Sequence, residues 1–147
     1  MKINLIVVGK LKERFLVEGV AEYVKRLHKF ARLEVREVPE CRTVEEDGQK
    51  ILSLVPQGSW LCVLDVSGVE LTSEDFAKKI AALNLGGVSN LTFAIGGAFG
   101  LSEELKSAAS FRLSLSKMTL THQMARLVLV EQIYRAFKIN RNEPYHW

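Results

Sequence analysis

The sequence predicts an α/β fold: a mostly parallel β-sheet covered by helices on both faces. Three observations lead there. Apolar runs and segments of helical period alternate along the whole chain. The runs INLIVVG, WLCVLDV and LTFAIGG are apolar at nearly every position, not at every second one, which is the pattern of strands buried on both sides. The chain has 147 residues, 48% hydrophobic and 25% charged, enough for one domain over residues 1–147 with a core of its own.

The elements follow in order. INLIVVG (3–9) is the first strand and ends in Gly9. Residues 14–30 place Phe15, Leu16, Val20, Tyr23, Val24, Leu27 and Phe30 near helical period. RLEVREV (32–38) alternates apolar with charged residues, a half-buried strand. Thr43 stands before Glu45, Glu46 and Asp47: a hydroxyl to cap free helix amides, and acids to complement them. WLCVLDV (60–66) is a strand and SGVELTS (67–73) a turn. Ser73, with Glu74 and Asp75 behind it, caps a helix over 73–83. NLGGVSN (84–90) breaks the chain before the strand LTFAIGG (91–97). Ser102 caps a short helix within 101–110, and FRLSLS (111–116) is the last strand. The longest helix starts near Thr121 and reaches Ile139. It is apolar on more than one face, through Met124, Leu127, Val128, Val130 and Ile133. Such a helix is either sandwiched in the core or buries a stripe against a second subunit.

Several functional classes are excluded at this stage. Two cysteines, Cys41 and Cys62, make no disulfide framework, and with three scattered histidines they give no metal-ligand spacing, so no metal is expected. Cys62 reads as a small buried hydrophobe. The N-terminus reads as a strand, not a leader, and no apolar run approaches the ~20 residues of a membrane span. The expectation is a cytoplasmic protein with no membrane partner. The formal charge of +3 is mild but unevenly placed. Residues 111–147 carry Arg112, Lys117, Arg126, Arg135, Lys138 and Arg141 against Glu131 and Glu143 alone. A basic C-terminal quarter points to a polyanion, or to an ordinary solvated face.

In open α/β sheets ligands bind beyond the carboxyl ends of the strands. Three loops there stand out. LDVSG (64–68) holds Leu64 at a strand end, then a turn with Asp65 and Gly68. AIGGAFGLS (94–102) runs from a strand through Gly96, Gly97 and Gly100 into a helix cap. Glycines let a backbone approach a ligand closely or take positive φ. The run lacks both the GxGxxG fingerprint and the Walker GK[ST]. LSLSKMTLTHQMAR (113–126) offers main-chain donors and acceptors suited to an adenine edge, with Leu115, Met118 and Leu120 as apolar walls. Ser114 and Ser116 have no nucleophile elbow around them. His122, at a helix start, is a base or a structural residue of the helix end. The tail NRNEPYHW combines Arg141 with the rings Tyr145, His146 and Trp147. Arginine contacts phosphate and aromatic rings stack on bases.

These loops and the tail together resemble the ribosomal RNA large-subunit methyltransferase H family, of the SPOUT class. The resemblance covers essentially the whole chain. It runs from INLIVVGK through LD..G and IGGAFGLS to LSLSKMTLTHQMARLVLVEQIYRAFKINRNEPYH. It implies a SPOUT-type α/β knot, with a C-terminal trefoil knot that periodicity alone does not suggest. It implies S-adenosyl-L-methionine as cofactor, held by Leu64, Gly96, Gly97, Leu115, Ser116, Lys117, Met118, Thr119 and Leu120. It implies a homodimer in which one subunit's tail completes the other's site.

The substrate it implies is a pseudouridine in 23S rRNA, methylated at N3 on the assembled ribosome. That imide nitrogen must lose its proton to attack the methyl group. The residues available for that work are His146, Tyr145 and Arg141 from the tail, with His122 and Arg126. The chain departs from the family in ending with Trp147 where a basic residue is common, which puts one tail contact with RNA in question. Other readings are a SPOUT enzyme acting on tRNA, a non-catalytic ribosome-associated RNA-binding module, and a nucleotide-binding oxidoreductase. The last is disfavoured by the missing GxGxxG. Gly97→Val is expected to close the cofactor site while leaving the fold.

Overall fold

The computed structural model describes residues 1–146, so the expectation attached to Trp147 lies outside the described residues. The elements run β1 (Lys2–Val8), α1 (Arg14–Leu27), β2 (Arg32–Val38), α2 (Val44–Leu54), β3 (Trp60–Glu70), α3 (Ser73–Leu85), β4 (Asn90–Ile95), α4 (Glu103–Ala108), β5 (Phe111–Ser114) and α5 (His122–Asn140). The strands order as β2-β1-β4-β3-β5, and all four pairings are parallel.

Both faces of the sheet are covered, which is why β1 reads as an unbroken apolar run. Ile3, Leu5 and Val7 point into the larger core, with Val20 and Leu27 of α1, Phe76 and Ile80 of α3, and Leu129 and Ile133 of α5. Ile6 and Val8 point the other way, toward Ile51 of α2 and Leu105 of α4. Asn4 falls on that second face, 3% exposed, where its amide donates to Thr92 Oγ1 over 3.4 Å. Cys62 is fully buried in the larger core, and burial pushes its thiol up to about 12.

Several local expectations shift. The segment read as a turn after residue 66 belongs to β3, which continues to Glu70. Leu64 and Val69 both pair with Leu113 of β5, so residues 65–68 bulge out of the ladder. Thr72, not Ser73, caps α3: its hydroxyl accepts from Asp75 N over 3.0 Å, and Ser73 instead donates to Gln132 Oε1. In the edge strand β2, Leu33 and Val38 are buried but Val35 is exposed, so the alternation overstates its buried face. The caps at Thr43 and Ser102 form as read. α5 lies between α1 and α3, and none of its residues from His122 to Ile139 is fully exposed. Of the apolar residues read on it, Val130 and Ile133 are buried within the chain, while Met124, Leu127 and Val128 stay partly exposed.

The contact between α2 and α4 turns on Gly48, which is buried beside Ser102. A Cβ there would overlap Ser102 Oγ and lie 3.0 Å from Ser102 Cβ. That hydroxyl caps α4, accepting from Leu105 N over 3.1 Å. Gly48→Ala is therefore expected to destabilise the protein by about 1–3 kcal/mol through overpacking. Ser102→Ala alone should cost about 1 kcal/mol through the lost cap. The double variant should lose less than the sum of the two, because the added methyl replaces part of the missing hydroxyl. Chemical denaturation of the three variants measures this coupling; strict additivity would rule the clash out.

Candidate functional site

The carboxyl ends of β3, β4 and β5 open into a cleft of about 570 Å3. That volume lies within the range of small-molecule sites, and the position is where an open parallel sheet binds ligands. Three loops and the start of α5 wall it. Leu64, Asp65 and Val66 come from β3; Ile95 ends β4, and Gly96 to Ala98, with Gly100 and Leu101, follow it; Leu115, Ser116 and Met118 to Leu120 follow β5. Thr121, His122 and Ala125 complete it. Of the residues expected at a cofactor, all but Lys117 line the cleft. Asp65, Val66, Thr121 and Ala125 line it too. Asp65 had no mark in the sequence beyond its place in a turn. Its Oδ1 accepts from Ser67 N over 3.0 Å, and Oδ2 lies 3.5 Å from Arg112.

The glycine-rich loop is built by backbone packing. Gly100 N donates to Gly97 O over 3.1 Å, and Gly100 has φ +92°, a conformation glycine adopts without strain. Gly96 is needed for close approach: a Cβ there would stand 2.6 Å from Gly100 O. A Cβ on Gly97 would press on Val8 Cγ1 at 3.1 Å. Gly97→Val would therefore push against the end of β1, which alters the expectation that it acts on the cleft alone. The loop after β5 is tied internally: Ser114 Oγ donates to Ser116 O over 3.0 Å, and Met118 N donates to Ser116 Oγ over 3.0 Å. Thr121 caps α5, accepting from Met124 N over 3.1 Å, so His122 is the first helical residue and not the cap.

The other candidates lie elsewhere in the chain. Arg126, in the second turn of α5, is 2% exposed. It donates to Glu37 Oε2 over 3.0 Å and to Gly9 O over 2.9 Å, outside the cleft lining. The tail folds back on its own chain. The Tyr145 ring stands edge-on to Tyr134 with centroids 4.8 Å apart, and its phenol donates to Glu131 Oε1 over 2.9 Å. The Tyr23 hydroxyl lies 3.2 Å away. Burial first, then the hydrogen bonds to Tyr23 and Glu131, raise the Tyr145 phenol far above its ordinary value. His146 bridges Arg135, 3.1 Å from Nδ1, and Glu74, 2.7 Å from Nε2. The hydrogen bond from His146 holds the Glu74 carboxyl below its usual range. Arg141 sits over the Phe30 ring and pairs with Glu143. Among the described residues, no tail residue lines the cleft.

The comparisons with known proteins bear on this arrangement. A family model described as "Predicted SPOUT methyltransferase" matches residues 1–146. The chain belongs to the SPOUT methyltransferase family. Relatives named ribosomal RNA large subunit methyltransferase H include those of Carboxydothermus hydrogenoformans, 49% identical, and Enterococcus faecalis, 44% identical, each aligned over 99% of both chains. A solved structure of a probable methylase family protein from Haemophilus influenzae superposes with a TM-score of 0.58 at 11% identity, covering 99% of this chain and 70% of that one, and shares the fold.

In this SPOUT-family chain the basic C-terminal quarter is less available than its composition suggests. Arg112 pairs with Asp65, Arg126 with Glu37, Arg135 with Glu131, and both Lys138 and Arg141 with Glu143. Among the described residues, Lys117 alone of those six cations makes no ion pair. Also among the described residues, no group of three His, Cys, Asp or Glu side chains is placed to hold a metal, and no helix is long and apolar enough to cross a membrane.

Proposed function

We propose that this protein is an S-adenosyl-L-methionine-dependent methyltransferase acting on N3 of a pseudouridine in 23S rRNA of the assembled ribosome. The observation that carries the reading is the cleft itself: three loops at the carboxyl ends of β3, β4 and β5, in a chain of a methyltransferase family. Its residues suit the cofactor. Leu64, Ile95, Leu101, Leu115 and Leu120 give apolar walls for an adenine, and the loop after β5 offers main-chain donors and acceptors for its edge. When bound, the cofactor supplies an electrophilic sulfonium methyl.

The chain's own work is then positioning and proton handling. Aligning nitrogen, carbon and sulfur is worth several kcal/mol of barrier. The imide proton must pass to a base or to solvent as the new N–C bond forms. His122 is the titratable ring at the cleft. The tail residues Arg141, Tyr145 and His146 would reach a cleft as part of a homodimer, docked on one subunit and facing the other's site. The names of the relatives support large-subunit rRNA over tRNA as substrate. Family membership supports a trefoil knot through the loops that line the cleft.

Titration calorimetry with S-adenosylmethionine, with NAD as control, tests the reading first. Binding of the methyl donor alone, followed by its transfer to 70S ribosomes, is the expected result. Binding of NAD alone would overturn it, and ribosome binding without any need for the methyl donor would favour a non-catalytic module.

A further inference from the structure

The rim of the cleft carries an unusual share of exposed apolar surface. Val66 is 54% exposed, Phe99 84%, Met118 78% and Leu120 36%. They come from three separate loops around one opening, so they are not the scattered surface hydrophobes of any soluble protein. Phe99 stands out among them. It occupies the tip of the turn 97–100, closed by the Gly100 N to Gly97 O hydrogen bond and by a bridge between the same two glycines. Ala98 and Gly100 on either side line the cleft, and Phe99 does not. Its ring has no aromatic partner among the described residues. A closed turn thus carries an aromatic ring in solvent at the edge of the site.

We propose that Phe99 is the stacking platform for an unpaired base of the RNA substrate at the mouth of the cleft, with Lys117 meeting the neighbouring phosphate. The proposal rests on the methyl-transfer reading for its substrate class. Two features select a nucleotide over a second copy of the chain as the occupant. An exposed aromatic ring and an exposed lysine, on two loops that flank one opening, match a base and its phosphate, whereas the centre of a subunit interface is depleted in lysine. Lys117 is exposed, outside the cleft lining, and without an ion pair among the described residues. The methyl-accepting nucleotide must also enter through this rim, since the cleft lies behind it. A phenyl ring has no polar atom, so it would hold a base without reading its identity, and specificity must come from elsewhere.

The test compares wild type, Phe99→Leu and Phe99→Trp. Leucine keeps the apolar volume and removes the π-face; tryptophan keeps and enlarges it. The expected result is about a tenfold weaker co-sedimentation with 70S ribosomes for Phe99→Leu, and a matching rise in KM for ribosomes with kcat little changed. Phe99→Trp should behave as wild type. Cofactor affinity by calorimetry and oligomeric state by sedimentation should be the same for all three. Unchanged ribosome affinity of Phe99→Leu would overturn the proposal. So would failure of Phe99→Trp to retain binding, or dissociation of an oligomer on substitution, which would show the rim to be covered by a second copy. If wild type itself transfers no methyl, the functional reading fails on its own, and the co-sedimentation comparison still decides whether Phe99 stacks.

Discussion

Truncation after Glu143 should abolish methyl transfer and leave cofactor binding intact. The cut removes Tyr145 and His146 but spares the Lys138–Glu143 pair that closes the end of α5. No wall of the cleft is touched, because its lining ends at Ala125. The folded chain loses the Tyr134–Tyr145 ring contact and the Arg135 guanidinium stacked 4.8 Å over Tyr145. These are partly exposed contacts, so the stability loss should be about 1–3 kcal/mol. Activity should fall by more than about 100-fold, the usual scale for removing a proton-handling group. Calorimetry with S-adenosylmethionine and methyl transfer to ribosomes, on the same preparation, separate the two effects. Full activity would make the tail dispensable. Loss of cofactor binding would mean that the tail supports the cleft of its own chain.

The docking of the tail sharpens what a shared site requires. Glu131 receives Tyr145, Arg135 and Gln132 together, and Glu74 with Arg135 fixes His146. The tail is therefore presented in one arrangement by its own α3 and α5, at a place that is not its own cleft. A second subunit would have to bring its cleft to that place. A variant that is monomeric at micromolar concentration yet fully active would refute the shared site.

Most of the fold was legible because burial writes itself into strand sequences. INLIVVG is continuous because α1, α3 and α5 cover one face and α2 and α4 the other. Thr43 and Ser102 were legible as caps since a hydroxyl followed by acids has one common use. The Thr72/Ser73 choice was not, because two adjacent hydroxyls carry the same signal and only the chain direction decides. The bulge at 65–68 was hidden because its residues read as turn formers while β3 resumes pairing at Val69. The loops of the cleft could be found from strand ends and glycines. Their glycines serve backbone approach, at Gly96 against Gly100 O, which composition does not reveal. The partners of the C-terminal cations were invisible, since Glu37 lies 89 residues from Arg126 in the chain. The tail's fit to Tyr23 and Glu74 is equally non-local.

Arg126→Met should lower the melting temperature by roughly 5–12 °C, for a loss of about 2–4 kcal/mol. The guanidinium ties α5 to the ends of two strands: to Glu37 of β2, and to the carbonyl of Gly9 just past β1. Methionine retains much of the stem's packing but leaves that carbonyl without its donor. Glu37 is 39% exposed and can hydrate once alone, so the charge contributes less to the loss than the carbonyl does. Arg126 Nε is already buried without a partner, a cost the two other bonds outweigh. Lysine should fall between, because a single ammonium replaces a fork that spans two acceptors. The first turn of α5 also carries His122 and Ala125 of the cleft wall, and Lys12 N donates to Gln123 Oε1 beside them. Loosening Arg126 should thus weaken cofactor binding together with stability. A catalytic Arg126 would behave differently: Arg126→Lys would lose kcat while melting temperature and cofactor affinity stayed at wild-type values. Thermal unfolding with calorimetry on both variants therefore decides whether this arginine anchors the site or acts in it.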